Sequence, residues 1–262
     1  MRAKKSLGQN FLKSRHALKQ IIAAAKLLPH EDALEVGPGK GVLTSELLAS
    51  GAHVVAVEKD RELIPFLQEK FQHEISSGQL KLVEDDILVC DPFALHLSPL
   101  GYTLVANIPY YITGAFLKKF LSGNCQPRRM VLQLQKEVAR RVVARDKKES
   151  ILSLSVKAYG VPRYIETVEA KYFSPQPKVD SAIIAIESIS KKRFADGNEE
   201  KFFEIIKAGF SHKRKKLIRN LETLFDGEKI GAVFTKLEIS ENSRAEDISL
   251  ESWFELSKLL TR

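Results

Sequence analysis

Little in the 262-residue sequence could cross-link it covalently or through a metal. The two cysteines, Cys90 and Cys125, are far apart and form no C-x-x-C pair; this excludes a disulfide framework and suits a reducing cytosol. The six histidines show neither H-x-x-x-H nor H-E-x-x-H spacing, so no metal is expected. No run of eighteen uncharged apolar residues occurs, so no membrane span is expected. The apolar stretch at residues 18–28 is broken by Lys19, Gln20 and Lys26, and neither a secretory nor an organellar leader is expected. Internal repeats and low-complexity tracts are also missing. A cytoplasmic, monomeric protein is the expectation.

Acids are missing from the first 30 residues, which hold Arg2, Lys4, Lys5, Lys13, Arg15, Lys19 and Lys26. A second basic block runs through Arg128, Arg129, Lys136, Arg140, Arg141, Arg145, Lys147 and Lys148. A third, Lys213-Arg214-Lys215-Lys216 with Arg219, contains no acid. One such block is ordinarily a solvated helix face. Three in a chain of net charge +8 point to contacts with the phosphates of a nucleic acid.

The first 190 residues alternate apolar runs with helix-like segments. Strands are expected at residues 33–36, 54–57, 80–83, 103–106 and 129–134, and helices at 41–50, 60–71 and 115–121. That rhythm predicts a mostly parallel sheet covered by helices. Two later strands, 163–168 and 179–187, have no helix between them and suit an antiparallel edge. Residues 190–198 read as a linker. Beyond it Phe202, Ile205, Ile206, Gly209 and Phe210 recur at helical spacing, as do Leu217, Leu221 and Leu224. A last helix is expected over 250–260 with Ser249 as its N-cap. The expected organisation is an α/β domain over 1–190 and a small helical domain over 191–262.

Glu35-Val36-Gly37-Pro38-Gly39-Lys40-Gly41 follows the first strand and opens a helix. Glycines let the backbone pass close to a ligand, and a helix N-terminus offers unpaired N–H groups. Glu58 ends the second strand, where a carboxylate can accept hydrogen bonds from both ribose hydroxyls. Asp85 and Asp86 follow the third strand, where an acid can accept from an adenine amino group; spacing alone does not choose between them. The spacing G-x-G-x-G disfavours a nicotinamide dinucleotide. Asn107-Ile108-Pro109-Tyr110 follows the fourth strand, at the end of the sheet that lines the ligand crevice. The Asn107 side-chain oxygen and the Ile108 carbonyl can hold the two N–H bonds of an aryl amine. That turns its lone pair towards a methyl sulfonium, and Tyr110 can stack on the base.

Asn107-Ile108-Pro109-Tyr110 resembles the N/D-P-P-Y/F signature of methyltransferases acting on exocyclic amines. Lys5-Ser6-Leu7-Gly8-Gln9-Asn10-Phe11-Leu12 is similar to the opening of the small-subunit rRNA adenine dimethyltransferases. So are Phe173-Ser174-Pro175-Gln176-Pro177-Lys178-Val179-Asp180-Ser181 and the run from Phe210 through Lys213-Arg214-Lys215 to Leu217, Arg219 and Asn220. The resemblance spans residue 4 to the C-terminus. It implies a Rossmann-like class I methyltransferase sheet with a small helical C-terminal domain, and S-adenosylmethionine as methyl donor. It implies cofactor contacts from Asn10, Leu12, Gly37, Gly39, Glu58, Asp86 and Asn107. Asn107, Ile108, Pro109 and Tyr110 become the catalytic turn, with Phe173 a candidate for the other face of the target base. The substrate implied is a pair of adjacent adenosines in a hairpin near the 3′ end of small-subunit rRNA, within an immature subunit. RNA contacts are expected from Lys213, Arg214, Lys215, Lys216 and Arg219. The chain departs from the family at Ile108, where Leu is common, and at Tyr111, where Asn is frequent.

Two other readings share the fold. One is a large-subunit rRNA adenine methylase of the resistance type, disfavoured by the 213–220 motif and the full 4–12 opening. The other is a ribosome-assembly factor without chemistry, disfavoured by the intact 107–110 signature.

Overall fold

Apolar strands that fill nearly without interruption demand cover on both faces, and the strands of this chain are of that kind. The computed structural model describes Lys4 and residues 8–261. Lys5, Ser6 and Leu7 of the opening motif, and the basic residues Arg2 and Lys5, lie outside the described residues. The strands are β1 (Phe11–Leu12), β2 (Asp32–Val36), β3 (His53–Glu58), β4 (Leu80–Glu84), β5 (Tyr102–Asn107), β6 (Arg129–Gln135), β7 (Val161–Val168), β8 (Phe173–Ser174) and β9 (Ser181–Glu187). The helices are α1 (Arg15–Ala25), α2 (Val42–Ala49), α3 (Ile64–Lys70), α4 (Gln72–Ser76), α5 (Thr113–Ser122), α6 (Lys136–Val143), α7 (Ile151–Lys157), α8 (Glu199–Gly209), α9 (Leu217–Leu221), α10 (Gly227–Lys236) and α11 (Leu250–Leu260).

Seven strands form one sheet in the order β4-β3-β2-β5-β6-β9-β7, and the first five run parallel. β9 is antiparallel to both β6 and β7, so the expected antiparallel pair closes the edge. The order reverses direction beside β2, where ligands of open α/β sheets bind. The register makes that edge sharp. Val36, Val57, Ala106 and Leu132 stand in one row, and the next row carries Glu58, Asn107 and Gln133. α1 begins at Ser14, whose side chain accepts from Ala17 N–H, and ends at Lys26 in the left-handed region. Its buried face of Ala17, Leu18, Ile21, Ala24 and Ala25 packs on the sheet. β1 pairs with β8 as a separate two-stranded sheet, Phe11 opposite Ser174 and Leu12 opposite Phe173. Two residues are too few to show a period, and sequence reasoning missed both strands.

The chain divides into two compact units. One joins the described residues up to Ala139 with Gly160–Ser190; the other joins Arg140–Tyr159 with the residues from Lys191 on. This differs from the expected single cut at 190, because residues 140–159 pack with the helices. The Tyr159 hydroxyl donates to Glu199 at 2.6 Å, its ring lies 5.3 Å from that of Phe194, and Glu149 N–H donates to the Glu246 carbonyl. Such partners lie far apart in sequence and leave no local period. The helical unit is built around Trp253, Phe202, Ile205, Ile206, Leu217, Leu221, Ile230 and Phe234, all at most 1% exposed. α11 starts at Ser249, whose hydroxyl accepts from Ser252 N–H as expected of an N-cap. Gly209 lies against Trp253, where an added Cβ would sit 2.4 Å from the indole ring. Gly209→Ala is therefore expected to destabilise this unit by about 1–3 kcal/mol, read from the urea midpoint.

Candidate active site

The row after Val36, Val57 and Ala106 supplies the site. Gly37, Gly39 and Gly41 all adopt positive φ, at 70°, 60° and 69°. This turns the chain sharply from β2 into α2, with Gly41 at the N-cap and no side chain hydrogen-bonding to the first amides of the helix. Gly37 N–H donates to the Val57 carbonyl and ties the loop to β3. The Glu58 carboxylate, 5% exposed, accepts from Gly39 N–H at 3.0 Å and from Asp60 N–H at 2.8 Å. Burial raises its pKa, while those two amides pull it back.

Beyond β4, Asp85 Oδ1 accepts from Asp86 N–H. Asp86 accepts from Leu88 N–H and pairs with Lys59 at 2.7 Å, which holds its pKa below the ordinary carboxylate value. At the end of β5 the Asn107 amide donates to the Asn10 carbonyl at 3.0 Å. With its nitrogen engaged there, the side-chain oxygen is turned as an acceptor. Ile108 N–H donates to the Gln133 carbonyl, and Pro109 extends the turn at φ −56°, ψ 133°. The rim segment before β1 is braced from below: Gln9 donates to Asp60 at 2.8 Å and Lys4 pairs with the same carboxylate at 2.7 Å.

These groups line one cleft of about 210 Å³. The structure brings Asn10, Leu12, Gly37, Gly39, Glu58, Asp85, Asp86, Asn107, Ile108 and Pro109 together on its walls. Sequence reasoning missed Leu18 and Ile21 of α1, Glu35 and Gln133, which also line it. Tyr111, 65% exposed, stands on the wall as well. The Tyr110 side chain lies outside what the structure describes. Phe173, the candidate for the other face of the target base, is 4% exposed, packs with α1 and the sheet, and does not line this cleft. Its pairing with Leu12 through β1 and β8 draws it inward.

The cleft fits an elongated nucleoside carrying a polar tail. A Cβ built on Gly37 would meet nothing within 4 Å, so open space faces the loop. Buried and half-buried carboxylates, Glu58 and Asp86, stand on one side of that space, and Asn107 on the other.

Glu35 sits 1% exposed under the glycine loop, and burial pushes its carboxyl up to about 8. Thr44 pulls against that rise and Glu58 adds to it. The folded state then keeps the proton that the unfolded chain loses above the ordinary carboxyl value of 4.5. This group's contribution is full below that value and declines as pH rises, until it levels near 8. Urea melts at pH 5 and pH 8 are expected to show wild type losing more stability over that interval than Glu35→Gln.

The description "Ribosomal RNA adenine dimethylase" belongs to a family model that matches residues 1–262. The chain belongs to this family. A curated relative from Dehalococcoides mccartyi, ribosomal RNA small subunit methyltransferase A, is 40% identical over 97% of this chain and 87% of its own length. One of the same name from Fusobacterium nucleatum is 38% identical over 98% and 97%. Two solved structures, each 26% identical with a TM-score of 0.79, share the architecture. They are the 23S rRNA methyltransferase ErmE, covering 97% of this chain and 100% of its own, and a dimethyladenosine transferase from Plasmodium falciparum, covering 94% and 95%.

In this family member the third basic block is exposed, on the loop joining α8 to α9. Asn220, 1% exposed, pins that loop by donating to the carbonyls of Gly209 and His212 at 2.6 and 3.1 Å. Arg219 instead pairs with both oxygens of Glu222 at 3.0 Å, so its charge is already met within its own helix end. Much of the second block is likewise paired. Arg128 meets Glu31, Arg129 meets Glu187, Lys136 meets Asp180, Arg140 meets Asp146 and Lys148 meets Glu246.

Proposed function

We infer that this chain transfers methyl groups from S-adenosylmethionine to the exocyclic amines of two adjacent adenosines. These lie in a hairpin near the 3′ end of small-subunit rRNA, and each becomes a dimethyladenosine. The observation that carries the reading is the single row of the sheet from which Glu58 and Asn107 emerge beside the glycine loop. It sets an acid suited to a nucleoside and an amide suited to orienting an amine in one cleft. The family and the names of the curated relatives support the substrate class.

S-adenosylmethionine, when bound, supplies an electrophilic methyl group. Glu58 is suited to its ribose, Asp86 to its adenine, and Asn10, Leu12, Gly37 and Gly39 to the remaining wall. The Asn107 oxygen and the Ile108 carbonyl accept the two N–H bonds of the target amine, and Pro109 fixes the turn that aims that carbonyl. An aryl amine holds its lone pair in conjugation with the ring; two acceptors outside the ring plane weaken that conjugation and aim the pair into the cleft. A hairpin loop suits the task, because its bases leave the stack more readily than those inside a helix. Residues 213–216 are suited to rRNA phosphates outside the cleft. The working state would be a cytoplasmic monomer acting on an immature small subunit without a metal.

The likeness to ErmE keeps the large-subunit alternative on the same fold, since both solved relatives match equally well. The relatives near 40% identity carry the small-subunit name and favour the first reading. The deciding measurement is mass spectrometry of both rRNAs from cells with and without the protein. Dimethyladenosine that disappears from small-subunit rRNA supports the reading. Its loss from large-subunit rRNA alone would reverse it.

A further inference from the structure

Gln133 on β6 is 1% exposed and lines the cleft, yet neither its Oε1 nor its Nε2 has a hydrogen-bond partner among the described residues. Only its backbone is engaged, through the bond from Ile108 N–H to its carbonyl. A carboxamide carries two donors and two acceptor sites, and burying it unpaired is unfavourable. Its neighbours along the strand, Leu132 and Leu134, are buried and apolar. A methionine would fill the same length without that penalty. An amide in this position therefore answers to something that enters the cleft.

Strand order identifies which end of a ligand it meets. Along this edge of the sheet, β4 and β3 bring Asp86 and Glu58, β2 brings the glycine loop, β5 brings Asn107 and β6 brings Gln133. Glu58, Asn107 and Gln133 stand level in one row. Three strand spacings, roughly 14 Å, separate Glu58 from Gln133. A nucleoside held by Glu58 and Asp86 directs its 5′ substituent across the glycine loop towards β5 and β6. In S-adenosylmethionine that substituent ends in an amino acid, with one ammonium and one carboxylate. A carboxamide matches such a pair, since Oε1 accepts from the ammonium and Nε2 donates to the carboxylate.

We propose that Gln133 is a binding residue for the amino-acid end of the methyl donor. The inference rests on the donor proposed above. Full-length wild type and Gln133→Met are titrated by calorimetry with S-adenosylhomocysteine and with 5′-methylthioadenosine, which lacks the amino-acid end. Melting temperatures are recorded without ligand. The variant is expected to bind S-adenosylhomocysteine about tenfold more weakly. It should bind methylthioadenosine as wild type does, and should melt at the same or a higher temperature. Equal affinity of both proteins for S-adenosylhomocysteine overturns the inference alone. So does a parallel loss for both ligands, or a lowered melting temperature, each of which marks a packing role. A wild type that binds neither nucleoside overturns this inference and the donor reading together.

Discussion

Asn107→Ala is expected to slow methyl transfer to immature small subunits by about a hundred- to a thousandfold, the effect of deleting an oriented polar group at a reacting centre. The loss should appear in kcat, because the amide acts on the amine at the moment of attack rather than on RNA at a distance. S-adenosylhomocysteine should still bind within about tenfold, since Glu58, Asp86 and the glycine loop remain. Asn107→Asp keeps acceptor oxygens but loses the donor that meets the Asn10 carbonyl, so it should lose less than the alanine variant. Single-turnover transfer of a labelled methyl group measures both. An alanine variant that works at the wild-type rate would remove the oriented-acceptor account.

Replacing Lys213, Arg214, Lys215 and Lys216 together by Glu is expected to weaken binding to a small-subunit rRNA hairpin by about a hundredfold or more at 0.1 M-scale salt. These side chains are exposed on a loop that Asn220 fixes from within, so reversal changes charge while leaving the core alone. The slope of log affinity against log salt should fall by about 3, close to 0.7 for each of four contacts. Arg219→Ala should change the slope less than any single lysine substitution, because Glu222 already meets that guanidinium. An unaltered slope in the fourfold variant would take the loop out of the interface. Transfer to a free adenosine analogue is the matched control and should be unaffected.

The parallel core was legible because burial on both faces leaves unbroken apolar runs such as residues 54–57 of β3 and 104–106 of β5. The glycine loop, Glu58, the Asp85-Asp86 pair and Asn107 were legible because each sits at a strand end, where a change of pattern exposes it; only the resemblance singled out Asp86 within its pair. What remained hidden depends on partners distant along the chain. Phe173 read as a stacking candidate because the motif around it is distinctive; the pairing of β8 with β1 that buries it spans only two residues on each side. Residues 140–159 read as part of the sheet domain because their partners, Glu199 and Glu246 among them, come much later. Four cations of the second basic block looked available because their acids are equally remote. Gln133 gave no signal at all, since one polar residue in a strand usually faces water.

The small β1–β8 sheet has a consequence for biosynthesis. The rim that carries Asn10 leaves the ribosome early, but its hydrogen-bonding partner is Phe173–Ser174. Until more than 170 residues have been translated the front wall of the cleft has Asp60 and Asn107 to hold it but lacks its strand partner, a long-range closure of the kind that forms late. A nascent chain would therefore acquire its grip on the methyl donor only after the sheet is nearly whole, and a chain that stalls partway would leave that cleft unfinished.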